Sequence, residues 1–285
     1  MNLVIAGGTG FIGSALCTRL LEQGPKKRLV WNPPAPGHWE KALDGADGVI
    51  NLAGEPIAAK RWSERRKEKI RQSRIETTRA LVSAVAKAGQ KPKFLINASA
   101  VGFYGPHGDE TLSEDAQAGN DFLAQTCREW EAEAIKAEAY GLRVARLRTG
   151  VVLGRGGGAL AKMAPPFKLF IGGPLGSGRQ WMSWIHMDDE VGLILALIER
   201  SDAHGAFNAT APNPVTMREF CRNLGRVLNR PSWAPVPAFA LRLLLGEMAD
   251  MLLTGQRVLP AAAQKLGYTF RYPKLYEALA ACMPP

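Results

Sequence analysis

Cysteine and histidine are scarce, with four of each in 285 residues. Cys17, Cys127, Cys221 and Cys282 lie far apart, which excludes a disulfide framework and the short ligand spacings of a structural zinc site, so no metal is expected. Unpaired thiols suit a reducing compartment, here expected to be the cytoplasm. Long apolar runs are also missing. The longest candidate, Val191 to Ile198, falls well short of the roughly 20 residues that cross a bilayer and reads as buried helix, so no membrane partner is expected. The opening residues carry no basic segment and glycines interrupt their apolar stretch, unlike a secretory signal. Acidic side chains are the minority, 26 against 36 Lys and Arg, for a formal net charge of +10. That excess favours anionic partners. No nucleic-acid motif accompanies the densest basic run, Lys60 to Arg74, which also holds Glu64 and Glu68, so nucleic acid is not expected.

Glycine, by contrast, is plentiful at 30 residues, and the first 13 residues use it. Leu3-Val4-Ile5-Ala6 reads as a buried parallel strand that runs into Gly7-Gly8-Thr9-Gly10-Phe11-Ile12-Gly13. Phe11, Ala15, Leu16, Leu20 and Leu21 then recur at helical spacing. In such a turn Gly7 permits the sharp exit from the strand, Gly10 lets backbone approach a diphosphate, and Gly13 lets helix and strand pack closely. The unpaired amides at the positive end of the helix complete an anion cradle. The strand-turn-helix setting, more than the glycine spacing, points to a dinucleotide.

Strands are expected at Arg28 to Trp31, Gly48 to Ala53, Phe94 to Ala98 and Leu142 to Leu147. Helices are expected over about Glu64 to Ala88 and Asn120 to Ala139. This alternation predicts an α/β fold, a Rossmann-type doubly wound parallel sheet with a small C-terminal substrate lobe. Thr216-Met217-Arg218-Glu219 reads as a capping box opening a helix to Leu228. The expected division is 1–155 for the dinucleotide-binding core, 156–233 for the rest of the core and its loops, and 234–285 for a small C-terminal domain.

The motifs GGTGFIG, VINLAGEPIA, SAVGFYG, LRTGVVLGRGGGAL, GGPLGSGRQ, WIHMDD and GQRVLP together resemble the extended short-chain dehydrogenase/reductase superfamily. More narrowly, they resemble its atypical epimerase-family subgroup with a short C-terminal domain. The resemblance implies a Rossmann fold that binds NADP or NAD, and the leading expectation is an oxidoreductase or epimerase-like enzyme acting on a small polar metabolite. A dinucleotide-binding redox sensor without turnover is the alternative reading. It also implies that Gly7, Thr9, Gly10, Phe11, Ile12, Gly13, Asn51, Leu52, Ala53, Gly54, Arg74, Ser99, Thr149 and Gly150 line the cofactor. A monomer or a homodimer fits equally.

Two departures from that superfamily stand out. Its acid-base pair, a tyrosine four positions before a lysine, is missing from Asp121 to Glu131. Ser99 and Tyr104 are the expected substitutes, and Tyr104 reads equally as a packing residue. Tyr104, Arg179, Trp184 and His186 are the expected substrate contacts, with His186 also suited to capping the helix that starts at Asp188-Asp189. The second departure is the short interval from Gly13 to Asn51. It offers only Arg28 to Trp31, which resembles the superfamily's third strand and leaves the second missing. No acidic residue ends that strand, and Lys26, Lys27 and Arg28 tilt the expectation towards NADP.

Overall fold

A computed structural model describes residues 1–22, 28–31 and 38–283. Six parallel strands form the central sheet: β1 (Leu3–Ala6), β2 (Arg28–Trp31), β3 (Gly48–Asn51), β4 (Phe94–Ala100), β5 (Arg143–Thr149) and β6 (Gly205–Ala209). Their order across the sheet is β6-β5-β4-β3-β1-β2. The register aligns Leu3 with both Arg28 and Gly48 on either side of β1, and Phe94 with Arg143 further along. Parallel neighbours require crossovers, and the helices α1 (Phe11–Glu22), α2 (Glu64–Lys87), α3 (Phe122–Ile135), α4 (Gly158–Lys168), α5 (Met187–Glu199) and α6 (Met217–Leu228) supply most of them and the lobe beyond.

Local chemistry sets the helix ends. Ser63 opens α2 by accepting the Arg66 amide at 3.2 Å, and Asp121 opens α3 by accepting the Ala124 amide at 2.7 Å. The capping box at Thr216 is realised, its hydroxyl accepting the Glu219 amide at 3.3 Å. The sheet is buried on both faces. Leu16, Leu20, Val191 and Ile194 cover one side, while Leu81, Val85 and Ala134 cover the other. A third cluster, including Trp184, Phe220 and Leu279, forms the base of the C-terminal lobe.

The placement of β2 corrects one expectation. Arg28–Trp31 lies directly against β1, in the position of the second strand, and among the described residues no strand lies beyond it. The slot without a described strand is therefore the outermost one. Lys26 and Lys27 lie outside the described residues.

A dinucleotide cradle beside a buried ion network

The glycine turn forms because no side chain would fit it. Gly7 has φ +78°, and a Cβ there would stand 2.8 Å from the backbone of Leu52 and Ala53, where β3 ends. At Gly13 a Cβ would stand 2.2 Å from the Gly7 carbonyl oxygen, and at Gly10 it would stand 3.2 Å from the same atom. The first turn of α1 closes with the Ser14 amide donating to the Gly10 carbonyl at 2.8 Å. The amides of Phe11, Ile12 and Gly13 precede that bond and have no partner within the helix.

Next along the strand ends comes Asn51-Leu52-Ala53-Gly54. Asn51 is fully buried and faces inward, where its amide donates to Thr78 at 2.9 Å and Asn97 at 2.7 Å. Trp130 donates to the same Thr78 hydroxyl at 2.9 Å. Any ligand above this turn therefore meets backbone and the Gly54 surface. Arg74 packs beneath Gly54, with its guanidinium carbon 3.1 Å from where a Cβ would sit. Its Nη1 donates to the carbonyls of Glu55 and Ile70 at 3.1 and 2.9 Å, which leaves Nη2 beside Gly54.

Under the exits of β4 and β5 lies an ion network. Alternate residues of a strand share a face, so Ser99 on β4 and Arg146 and Arg148 on β5 all turn towards α3, which supplies Glu131. The Glu131 carboxylate accepts from Ser99 Oγ at 2.7 Å, Arg148 Nε at 2.8 Å, Arg148 Nη2 at 3.0 Å and Arg146 Nη1 at 3.1 Å. Arg148 Nη1 also donates to the Tyr104 hydroxyl at 3.0 Å, and that hydroxyl donates to Asn208 Oδ1 at 2.7 Å. Burial pushes the Tyr104 pKa up, against the nearby Arg148 charge. Cys127, also beside Ser99, is held as a thiol by burial, its pKa pushed up to about 11.

These contacts show where the expected site residues stand. Tyr104 has no exposed surface, and its hydroxyl is hydrogen-bonded inside the protein to Arg148 and Asn208, which is the packing alternative that the sequence allowed. Ser99 is likewise enclosed, with its proton directed at Glu131. Trp184 is fully buried in the lobe core, its indole N–H donating to the Asn213 carbonyl at 3.1 Å. His186 caps α5, its Nδ1 accepting the Asp188 amide at 3.1 Å. It opens on a cavity of about 530 Å³ lined also by Phe11, Ser14, Thr18, Arg155 and Tyr272, away from Tyr104. Arg179 is exposed on its loop, so the four expected substrate contacts do not converge.

Thr149 and Gly150 remain at the crevice. The Thr149 hydroxyl donates to Glu190 Oε1 at 2.9 Å, while Glu190 Oε2 is buried without a partner among the described residues. Burial pushes the Glu190 pKa from its ordinary 4.5 up to about 8. The sequence alone assigns no role to the side chains of Glu131, Arg148, Asn208 and Glu190. The one cue was the run Arg143-Val144-Ala145-Arg146-Leu147-Arg148, where arginines inside an apolar strand demand a buried partner.

The C-terminal lobe closes over the strand ends. Gln256 Nε2 donates to the Val101 carbonyl at 2.7 Å, and strand Arg257–Val258 pairs in parallel with Thr111–Leu112. Across the mouth, Lys162 Nζ donates to the Ala58 carbonyl, and Lys67 meets Glu247 at 2.9 Å.

An all-parallel sheet with a glycine-rich turn after its first strand, too crowded for a Cβ at Gly7 and Gly13, and helix amides above it defines a dinucleotide-binding α/β protein. Comparison with known proteins makes this specific. Residues 3–210 match the NAD dependent epimerase/dehydratase family, to which this chain belongs, and residues 236–282 match a domain of unknown function, DUF1731. The chain is 45% identical over 303 residues to the Arabidopsis thaliana epimerase family protein SDR39U1 homolog, chloroplastic, covering 99% of this chain and 87% of the relative. It is 41% identical over 299 residues to Bacillus subtilis epimerase family protein YfhF, covering 98% and 97%. The crystal structure of human epimerase family protein SDR39U1 with NADPH matches with a TM-score of 0.90 at 35% identity, covering 99% of each chain. Among the described residues no helix is long and apolar enough to cross a membrane.

Proposed function

We propose that this chain binds NADPH across the strand ends and is an oxidoreductase or epimerase-like enzyme acting on a small polar metabolite in the cytoplasm. The observation that carries this reading is the turn at Gly7 to Gly13, which leaves no room for a Cβ at Gly7 or Gly13 and presents three helix amides to one diphosphate. The NADPH in the structure of the human relative supports the choice of cofactor. In this reading the amides of Phe11, Ile12 and Gly13 hold the diphosphate, Ala53 and Gly54 keep a low floor for the ribose, and Arg74 Nη2 faces a phosphate oxygen. Thr149 and Gly150 border the nicotinamide end, where Glu190 holds a proton one hydroxyl away. Bound nicotinamide supplies hydride transfer.

A second reading, a dinucleotide-binding sensor without turnover, is favoured by the enclosure of Ser99 and Tyr104. Titrating the purified chain with NADPH and NADH by fluorescence, then screening carbonyl compounds and nucleotide sugars, separates the two. Binding with no turnover across the panel favours the sensor, and binding of neither nucleotide overturns both. Gly13→Ala is expected to weaken NADPH binding by at least about tenfold, because its methyl displaces the Gly7 carbonyl and with it the cradle. Unchanged affinity would remove this turn from the site.

A further inference from the structure

The far side of the lobe carries a feature that dinucleotide binding does not use. Helix α4 ends in a two-bond terminus in which the Phe170 amide donates to the Phe167 carbonyl at 2.9 Å and the Ile171 amide to the Pro166 carbonyl at 3.0 Å. That geometry places Phe170 at the left-handed position, φ +64°, which glycine normally fills. Here a strained phenylalanine occupies it with its side chain exposed, between Leu169 at 69% exposure and Ile171 at 56%. Trp233, 66% exposed, joins the same surface, its indole N–H donating to the Phe170 carbonyl at 2.8 Å.

Against this apolar tip stands a basic concavity. The Arg230 guanidinium stacks over the Phe170 ring at 4.5 Å. Arg222, Arg226 and Arg230 share a hollow of about 570 Å³ whose walls, among the described residues, carry no carboxylate. Arg222 and Arg226 stand four residues apart on α6, a like-charged spacing that disfavours a helix. Strain and a cluster of arginines, Arg226 stacked over Tyr276 at 5.1 Å and Arg230 over Phe170, thus meet at one exposed place. A second copy of the chain across a two-fold axis would set these arginines against each other. Nucleic acid would leave the aliphatic Leu169 and Ile171 without a stacking role. A surface that takes both phosphate and hydrocarbon is a bilayer of anionic phospholipid.

We propose that this face docks peripherally on anionic membranes, with Leu169 to Ile171 and Trp233 entering the acyl boundary and the arginine hollow receiving lipid phosphates. No crossing helix is required. The test uses the full chain and cosedimentation with phosphatidylcholine vesicles, with and without about one third phosphatidylglycerol. Binding to the anionic vesicles only, released by salt, is expected. The double variant Arg222→Gln/Arg226→Gln is expected to lose about 30-fold in binding, near fivefold for each charge. Phe170→Gly separates function from folding: it is expected to raise Tm by relieving the left-handed phenylalanine while cutting vesicle binding about tenfold. Equal binding to both vesicle types, full binding by Phe170→Gly, or retention on RNA without vesicle binding each overturns the proposal.

Discussion

Replacing Glu131 with alanine is expected to destabilise the fold by about 3–5 kcal/mol, the range for removing one partner from a buried ion cluster. The carboxylate is 3% exposed and Arg148 is 4% exposed, so water cannot take over the lost contacts. Its removal strands Arg148, deprives Arg146 of its partner and frees Ser99 Oγ in the interior. Denaturant midpoints measure the loss. Substituting both Glu131→Leu and Arg148→Met should recover much of it, because the cost lies in an uncompensated charge more than in a missing attraction. A double variant as unstable as the single one would show that the network contributes a net attraction. NADPH affinity should fall with Glu131→Ala as well, since Arg148, through Tyr104 and Asn208, ties the β4 and β5 exits to the last strand.

The second large effect concerns pH. Glu190 binds its proton up to about pH 8 in the folded chain, against an ordinary value of 4.5. Folding therefore takes up a proton between these values. Its stabilising contribution is complete below about pH 4.5 and is lost as pH rises through about 8, at up to roughly 1.4 kcal/mol per pH unit. Glu190→Gln cannot ionise and still accepts from Thr149. Its stability relative to the parent should rise by roughly 4 kcal/mol between about pH 5 and about pH 8.5. Unfolding curves at the two pH values decide it. Parallel losses in the parent and the variant would assign the pH dependence to other groups.

The strand exits were legible because each carries local chemistry. Glycines mark the first turn, and Asn51-Leu52-Ala53-Gly54 and Arg148-Thr149-Gly150 punctuate apolar runs. The network behind them was not legible, because Glu131 lies 17 residues before Arg148 and Asn208 lies 60 after it, and no periodicity links such partners. Trp184 was hard to place for a related reason, while the capping alternative offered for His186 is the one realised. An aromatic and an imidazole beside two aspartates suggest a ligand surface, yet the strand Trp184–His186 is buried throughout, so packing claims the tryptophan and helix capping the histidine. The position of Arg28–Trp31 was equally hidden, since four residues fit either outer slot and only the pairing with Leu3 to Ala6 decides between them.

The strand Arg257–Val258 and the residues after it reach back to the middle of the chain. Asn208 Nδ2 donates to the Leu259 carbonyl, and the Ala262 amide donates to the Glu114 carboxylate. During synthesis, then, the ribosome can release all six sheet strands well before the enclosure of Tyr104 and Asn208 is complete. A nascent or prematurely terminated chain would expose wet, unshielded polar groups at that point. The segment from Gln256 onward thus completes the burial of Tyr104 and Asn208, and a chain cut before it is expected to be more open to proteolysis than the full chain.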